Sequence, residues 1–219
     1  VGSEMCIRDR RRDRGMYLQV PKDTIVFISG VPGSGKTTVA YELFKNYCDF
    51  RIVEETDIIR EILRGYRKHL ALMGISIPDE ITPHNVFLDY ATASRQCEVM
   101  MNSIIAIVHR QQRKEIPTII NGVHIIPEIL YDNMLFSSHI AYVNLFIESE
   151  DLLWTRLRNR DPQKYKKEGV PFLYRMNLDL HKQTSLLAKA HPNVLSLNNS
   201  RLSSEETLFE VAKFLRTLF

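Results

Sequence analysis

Thr24-Ile25-Val26-Phe27-Ile28-Ser29 runs straight into Gly30-Val31-Pro32-Gly33-Ser34-Gly35-Lys36-Thr37, and this junction constrains the fold more than any other stretch. The first six residues are mostly apolar and β-branched, as in a strand buried on both faces. Residues 38–47 follow, with Val39, Ala40, Leu43, Phe44 and Tyr47 on one face of a helix. The order is strand, glycine loop, helix. The loop fits the pattern G-x-x-x-x-G-K-[ST] at every fixed position.

These residue types suit one kind of ligand. Glycines let the backbone curl until successive N–H groups point at a single anion, and the helix start adds the positive end of its dipole. Lys36 supplies a point charge for outer phosphates, and Thr37 and Thr38 bring hydroxyls, that of Thr37 suited to Mg²⁺. Gly30, Val31, Pro32, Gly33, Ser34, Gly35, Lys36, Thr37 and Thr38 are therefore the expected nucleotide-binding residues. A glycine-rich turn capping an ordinary helix is the bland alternative.

Residues 1–9 match the translation of a sequencing-adapter oligonucleotide, so residues 1–15 read as a leader, with Met16 the expected start and 16–219 one domain. The leader carries five arginines and three acids, a net +2 of the whole chain's +3. The basic pI is thus largely a leader effect, and the near-neutral remainder argues against a nucleic-acid or membrane partner. No apolar run spans a bilayer. Cys6, Cys48 and Cys97 make neither a disulfide framework nor a zinc site, which favours a reduced, cytoplasmic setting.

Strand and helix signals alternate along the rest. Strands are expected at 24–29, 50–53, 117–120 (with a turn at Asn121-Gly122), 142–147 and 194–197. A helix over 58–64 stops at Gly65. A long helix opens at Thr82-Pro83 and reaches Lys114. An arginine-rich helix follows Glu148, another covers 171–189, and the last opens on the capping box Ser203-x-x-Glu206. The expected fold is α/β: a five-stranded parallel sheet flanked by helices, with right-handed crossovers and ligands beyond the strands' carboxyl ends.

That rule directs attention to strand ends. After strand two, Asp57 and Arg60 lie three apart and share a helix side. The carboxylate can accept a proton from an acceptor hydroxyl, and the guanidinium can grip its phosphate or carboxylate. A plain N-cap with a surface arginine is the other reading. After strand four, Arg156 and Arg160 stand one turn apart in a segment that suits a lid over a phosphoryl group in flight. Simple matching of charge to the helix dipole explains the same arginines. Asn198-Asn199 after strand five suits either a base-wrapping loop or an ordinary turn.

The layout resembles the small-molecule P-loop kinases and, among them, the 2-phosphoglycerate kinase-like family. The matching pieces are residues 28–40, Thr56-Asp57-Ile58-Ile59-Arg60-Glu61-Ile62-Leu63-Arg64, Gly122-Val123-His124-Ile125-Ile126-Pro127 and the arginine-bearing lid. Similarity runs from about residue 22 to the C-terminus and is weak between 66 and 95. The Thr-Asp-x-x-Arg piece also recurs in polynucleotide 5′-kinases. One departure stands out: Asn121 replaces the family's usual glutamate, which often helps hold Mg²⁺ through water. Glu55 and Asp57 are then the nearest carboxylates, and Asn121 can orient a water or hydroxyl but cannot act as a base.

The resemblance implies a P-loop NTPase fold with a lid, ATP and Mg²⁺ as cofactors, and γ-phosphoryl transfer to a hydroxyl of a small anionic metabolite resembling 2-phosphoglycerate. Lys36, Asp57, Arg156 and Arg160 are the expected catalytic residues. Asp57, Arg60, Asn121 and His124 would bind the acceptor, Thr37 and Glu55 the metal, and Asn198 the nucleotide; a satisfied histidine at a strand edge is the equal alternative for His124. Two other readings stay open: a nucleotide or polynucleotide 5′-hydroxyl kinase, and a nucleotide-binding protein without kinase activity. The last requires Asp57 and Arg60 to point away from the phosphate loop.

Overall fold

The computed structural model describes residues 17–47, 49–74, 89–133 and 139–219. Its five strands are β1 (Ile25–Ser29), β2 (Ile52–Glu55), β3 (Thr118–Gly122), β4 (Ile140–Phe146) and β5 (Val194–Asn198). They pair in parallel in the order β2-β3-β1-β4-β5. The helices are α1 (Lys36–Glu42), α2 (Thr56–Leu72), α3 (Tyr90–Arg113), α4 (Pro127–Asn133), α5 (Glu150–Arg160), α6 (Val170–Ala188) and α7 (Ser204–Leu218). The expected α/β class with a five-stranded parallel sheet holds.

β1 lies at the centre because every side chain on it is buried, leaving no face for water. Successive side chains alternate between two cores. On one side Ile25 and Phe27, with Ile120 and Tyr142, meet Met100 and Ile104 of α3, Leu153 of α5 and Leu173 of α6. On the other Val26 and Ile28, with Ile119 and Val143, meet Val39 of α1 and Leu208 and Val211 of α7. The chain builds outward from β1 first to one side and then to the other. A crevice therefore opens beyond the carboxyl end of β1, where the connections diverge.

Several boundaries differ from the sequence expectation. β3 runs through Asn121 and Gly122, where a turn was expected. Asn121 sits between Ile28 and Glu55, and Gly122 beside Ser29, so pairing overrides the local turn signal of Asn-Gly. β2 begins later than expected and includes Glu54 and Glu55, which an edge strand with half-buried side chains tolerates. Helix α2 passes through Gly65, where a stop was expected. Nothing lies within 4 Å of a Cβ built there, and Ile59 and Leu63 hold the inner face of the helix against the core. The helix ahead of β3 opens at Tyr90, where the Asp89 side chain accepts from the Thr92 N–H at 2.7 Å. The expected Thr82-Pro83 opening, the 1–15 leader and Cys48 lie outside the described residues. The short helix α4 was not foreseen. α1 is shorter than expected and passes into a single π-helical turn over Leu43–Tyr47. The final capping box forms as read, with Ser203 Oγ accepting from Glu206 N and Glu206 Oε2 from Ser203 N.

Two contacts lock the strand ends that face the crevice. The hydroxyls of Ser29 (2.9 Å) and Tyr142 (3.0 Å) both donate to the Ile125 carbonyl, pinning the loop after β3 to β1 and β4. Thr56, fully buried at the start of α2, packs directly over Gly122. A Cβ on Gly122 would fall 1.8 Å from Thr56 Oγ1. Gly122 thus sets how closely the N-terminus of α2 approaches the sheet. Gly122→Ala is expected to cost about 1–3 kcal/mol by overpacking, read as a lowered denaturation midpoint.

Candidate active site

The loop after β1 takes the shape its glycines allow. Gly35 has φ 91°, a left-handed conformation that places it as the N-cap of α1 without a side-chain cap. The Ser34 hydroxyl is buried inside the loop with no hydrogen-bond partner among the described residues. A buried orphan hydroxyl in a glycine loop that opens onto a helix N-terminus fits a polyanionic ligand.

Lys36 is 8% exposed, and burial lowers its pKa from 10.5 to about 8. Asp57 and Glu55 pull that value upward, while Arg160 pushes it down. The ammonium is therefore still charged near neutral pH, at an electrostatic cost that an incoming anion would relieve.

Two cavities meet at Lys36. One, of about 380 Å³, is lined by Gly33, Gly35, Lys36, Thr37, Thr38, Arg156 and Arg160. The other, of about 480 Å³, includes Lys36, Thr37, Glu55, Asp57, Arg60 and Asn121. Lys36, Thr37 and Arg160 belong to both. Asp57 and Arg60 therefore open into the same cleft as the end of the phosphate loop.

The strand register sets the oxygen donors. Glu55 and Asn121 are partners across β2 and β3. The Thr37 hydroxyl donates to Asn121 Oδ1 at 3.5 Å, and Asn121 Nδ2 donates to the Glu54 carbonyl at 3.5 Å. Among the described residues, no three His, Cys, Asp or Glu side chains cluster as a metal site. Mg²⁺ characteristically takes one or two protein oxygens and completes its shell with water and phosphate. Thr37 and Glu55, hard oxygen donors lining one cleft, fit that requirement.

His124 lies behind this surface rather than on it. It is fully buried and is not one of the residues lining the cleft, so the expectation that it touches the acceptor is revised. Its Nε2 lies 3.5 Å from Arg60 Nη1, and its Nδ1 lies 3.7 Å from Asp57 Oδ1. Arginine only donates, so Nε2 must accept and Nδ1 carries the proton, and that N–H has no hydrogen-bond partner among the described residues. Burial holds the imidazole neutral, with its pKa lowered from 6.5 to about 4. Asp57 and Arg60 also contact each other at 3.4 Å, closing a triangle with His124.

On the other side, Arg156 donates to Asn199 Oδ1 (3.2 Å) and to the Asn199 carbonyl (2.9 Å). Asn199 Nδ2 donates to the Ser34 carbonyl at 2.7 Å. This ties the arginine helix to the phosphate loop. Asn198, the expected nucleotide contact, is instead exposed and donates to Glu148 at 2.7 Å. Its neighbour Asn199 is the buried member of the pair. Sequence reasoning also missed Lys164, Tyr165, Val123 and Leu173, which complete the second cavity. None belongs to a motif with a spacing of its own, except Val123, which follows Gly122 in the quoted family piece.

A parallel sheet in this order, a phosphate loop after its central strand and an arginine helix at the mouth define a P-loop kinase-type fold. Solved structures with this architecture include a gluconokinase from Sinorhizobium meliloti 1021, at TM-score 0.53 and 15% identity over 90% of this chain and 95% of that one. Shikimate kinase from Acinetobacter baumannii matches at TM-score 0.51 and 13% identity, covering 90% and 94%. Among curated proteins, the mevalonate-3-phosphate 5-kinase of Thermoplasma acidophilum is 28% identical over 142 residues, 62% of this chain and 67% of its own length. The 2-phosphoglycerate kinase of Methanothermobacter thermautotrophicus is 22% identical over 163 residues, 69% of this chain and 52% of its own. The chain thus spans about half the length of that enzyme. No protein-family model matches the chain.

Two outcomes follow from the buried charges. Lys36 has a folded-state pKa below its unfolded value, so its cost is fully present below about pH 8 and fades as pH rises toward 10.5. Lys36→Met is therefore expected to raise the melting temperature of the ligand-free protein at pH 7 while abolishing the further rise caused by Mg·ATP. His124 stays neutral when folded and protonates when unfolded, so stability should fall as pH drops from 6.5 towards 4. Urea denaturation of His124→Gln between pH 7 and 5 should show a shallower loss than the parent.

Proposed function

We propose that the protein is an ATP-dependent kinase that transfers the γ-phosphoryl group to a hydroxyl of a small anionic metabolite. 2-Phosphoglycerate and mevalonate 3-phosphate are the acceptors that the curated relatives suggest. One observation carries the reading: Asp57 and Arg60 line the same cleft as Lys36 and Thr37. The same geometry counts against a nucleotide switch with no acceptor, because that reading needs the two residues turned away.

Mg·ATP, when bound, supplies the phosphoryl group and part of the charge neutralisation. The chain's residues do the rest. The backbone N–H groups of the glycine loop fix the phosphates, and the Thr37 hydroxyl and Glu55 offer oxygen ligands to the metal. Asp57 accepts the acceptor hydroxyl's proton as its oxygen attacks. Arg60 holds the acceptor's anionic group, and Asn121 holds Thr37 in place. Lys36 and Arg160, shared by both cavities, face the charge that spreads over the transferring group. Arg156 reaches the same region from the nucleotide side while anchored on Asn199. Little covalent work is needed, so positioning and electrostatics dominate. His124 acts through Asp57 and Arg60, orienting the base and the binding group together.

Phosphoryl transfer measured by mass spectrometry, with ATP, Mg²⁺ and a panel of phosphorylated acids beside a 5′-hydroxyl oligonucleotide, tests the reading. Lys36→Ala should abolish transfer. Asp57→Asn should lower kcat by about 10²–10⁴-fold, the usual contribution of a general base. Arg60→Ala should raise the acceptor KM by more than the ATP KM. Unchanged turnover in Lys36→Ala sinks the proposal.

A further inference from the structure

The cleft beside Asp57 is larger and more cationic than one hydroxyl and one anion require. Four cations line it, Lys36, Arg60, Arg160 and Lys164, against two carboxylates, Glu55 and Asp57. Lys36 and Arg160 also border the nucleotide cavity, so the transferred phosphoryl group accounts for them. Arg60 is partly matched by Asp57 at 3.4 Å. Lys164 is left over. Among the described residues its side chain makes no ion pair and no hydrogen bond. Its ammonium stands 5.6 Å from the centroid of the Tyr165 ring.

Lys164 is also well placed for a ligand role. Asp161 Oδ1 accepts from the backbone N–H groups of Gln163 (3.2 Å) and Lys164 (3.0 Å), so the chain beneath this lysine is fixed. The same cleft also carries apolar lining, from Val123, Leu173, Tyr165 and Pro32. A compact polyhydroxy acid would leave that lining against water, whereas an aliphatic carbon body would cover it.

We infer that Lys164 binds a second anionic group of the acceptor, across an aliphatic segment resting on Val123 and Leu173. The acceptor class is then a primary or secondary alcohol carrying two anionic groups, phosphate or carboxylate, separated by apolar carbons. Arg60 takes one anion and Lys164 the other, while the hydroxyl lies at Asp57. This rests on the kinase reading and narrows it, because it ranks acceptors by the shape between their charges.

Initial-rate kinetics with ATP test it, using phosphorylated hydroxy acids of short (three-carbon) and longer (five- and six-carbon) aliphatic bodies, each with and without its carboxylate. The longer bis-anionic acceptors should show the higher kcat/KM. Lys164→Ala should raise their KM by about tenfold or more, the scale of one charge-assisted hydrogen bond. It should leave the KM of the decarboxylated analogues and of ATP unchanged, and Lys164→Arg should recover most of the loss. Leu173→Ala should penalise the longer acceptors more than the three-carbon one. If that buried variant fails to fold, the exposed Lys164 substitutions decide alone. Efficient turnover of the three-carbon acid with no response to Lys164→Ala overturns this inference and leaves the kinase standing. Lys36-dependent ATP binding with no acceptor phosphorylated overturns the kinase reading, and this inference with it.

Discussion

An ammonium buried where a glycine loop turns into a helix is the constraint around which this molecule is organised. Lys36 sits at the start of a helix, where the dipole already repels a cation, and burial adds to the cost. Asp57 and Glu55 relieve part of it from the adjoining strand and helix. They reach that position only because β2 and α2 meet at the sheet edge with Thr56 pressed onto Gly122. The fold thus carries an electrostatic deficit, and the two cavities that meet at Lys36 are the places where an anion can remove it.

The acceptor side is held by a different kind of contact. Asp57 and Arg60 are on the open face of α2, yet both are touched from behind by one buried imidazole. The loop carrying that imidazole is fixed in turn by the Ser29 and Tyr142 hydroxyls on the Ile125 carbonyl. A carboxylate with 53% of its side chain exposed is therefore backed by a rigid chain of contacts reaching the central strand. Solvent access and positional order coexist at Asp57 because each is set by a different layer of the structure.

The sequence was most legible where chemistry is local. The strand, glycine loop and helix around residues 24–42, the parallel alternation and the Ser203–Glu206 capping box depend on neighbours in the chain, and all could be read from it. Asn121-Gly122 could not, because in the dipeptide that usually makes a turn Asn121 is here paired on both sides, and Gly122 on one, by strands distant in sequence. Gly65 gave a stop signal that helix packing overrode. Asp57, Arg60, Arg156 and Arg160 came from spacing after strands, and the structure brings them to one crevice mouth. Lys164 carried no signal, since a lone lysine in a polar turn looks like any other. Asn198 and Asn199 were both visible, but only the three-dimensional bend after β5 decides which one turns inward.

Asn199 also changes how the phosphate loop should be regarded. The loop is a contiguous run of eight residues near the front of the chain, yet its Ser34 carbonyl is held by an amide that follows the last strand. Residues 34 and 199 are 165 positions apart. As the chain emerges during synthesis, the loop sequence is present early, but this bond cannot form until β5 has joined the sheet. Local in sequence, the cradle is global in its contacts: a chain lacking β5 and the turn after it would hold the motif without this brace.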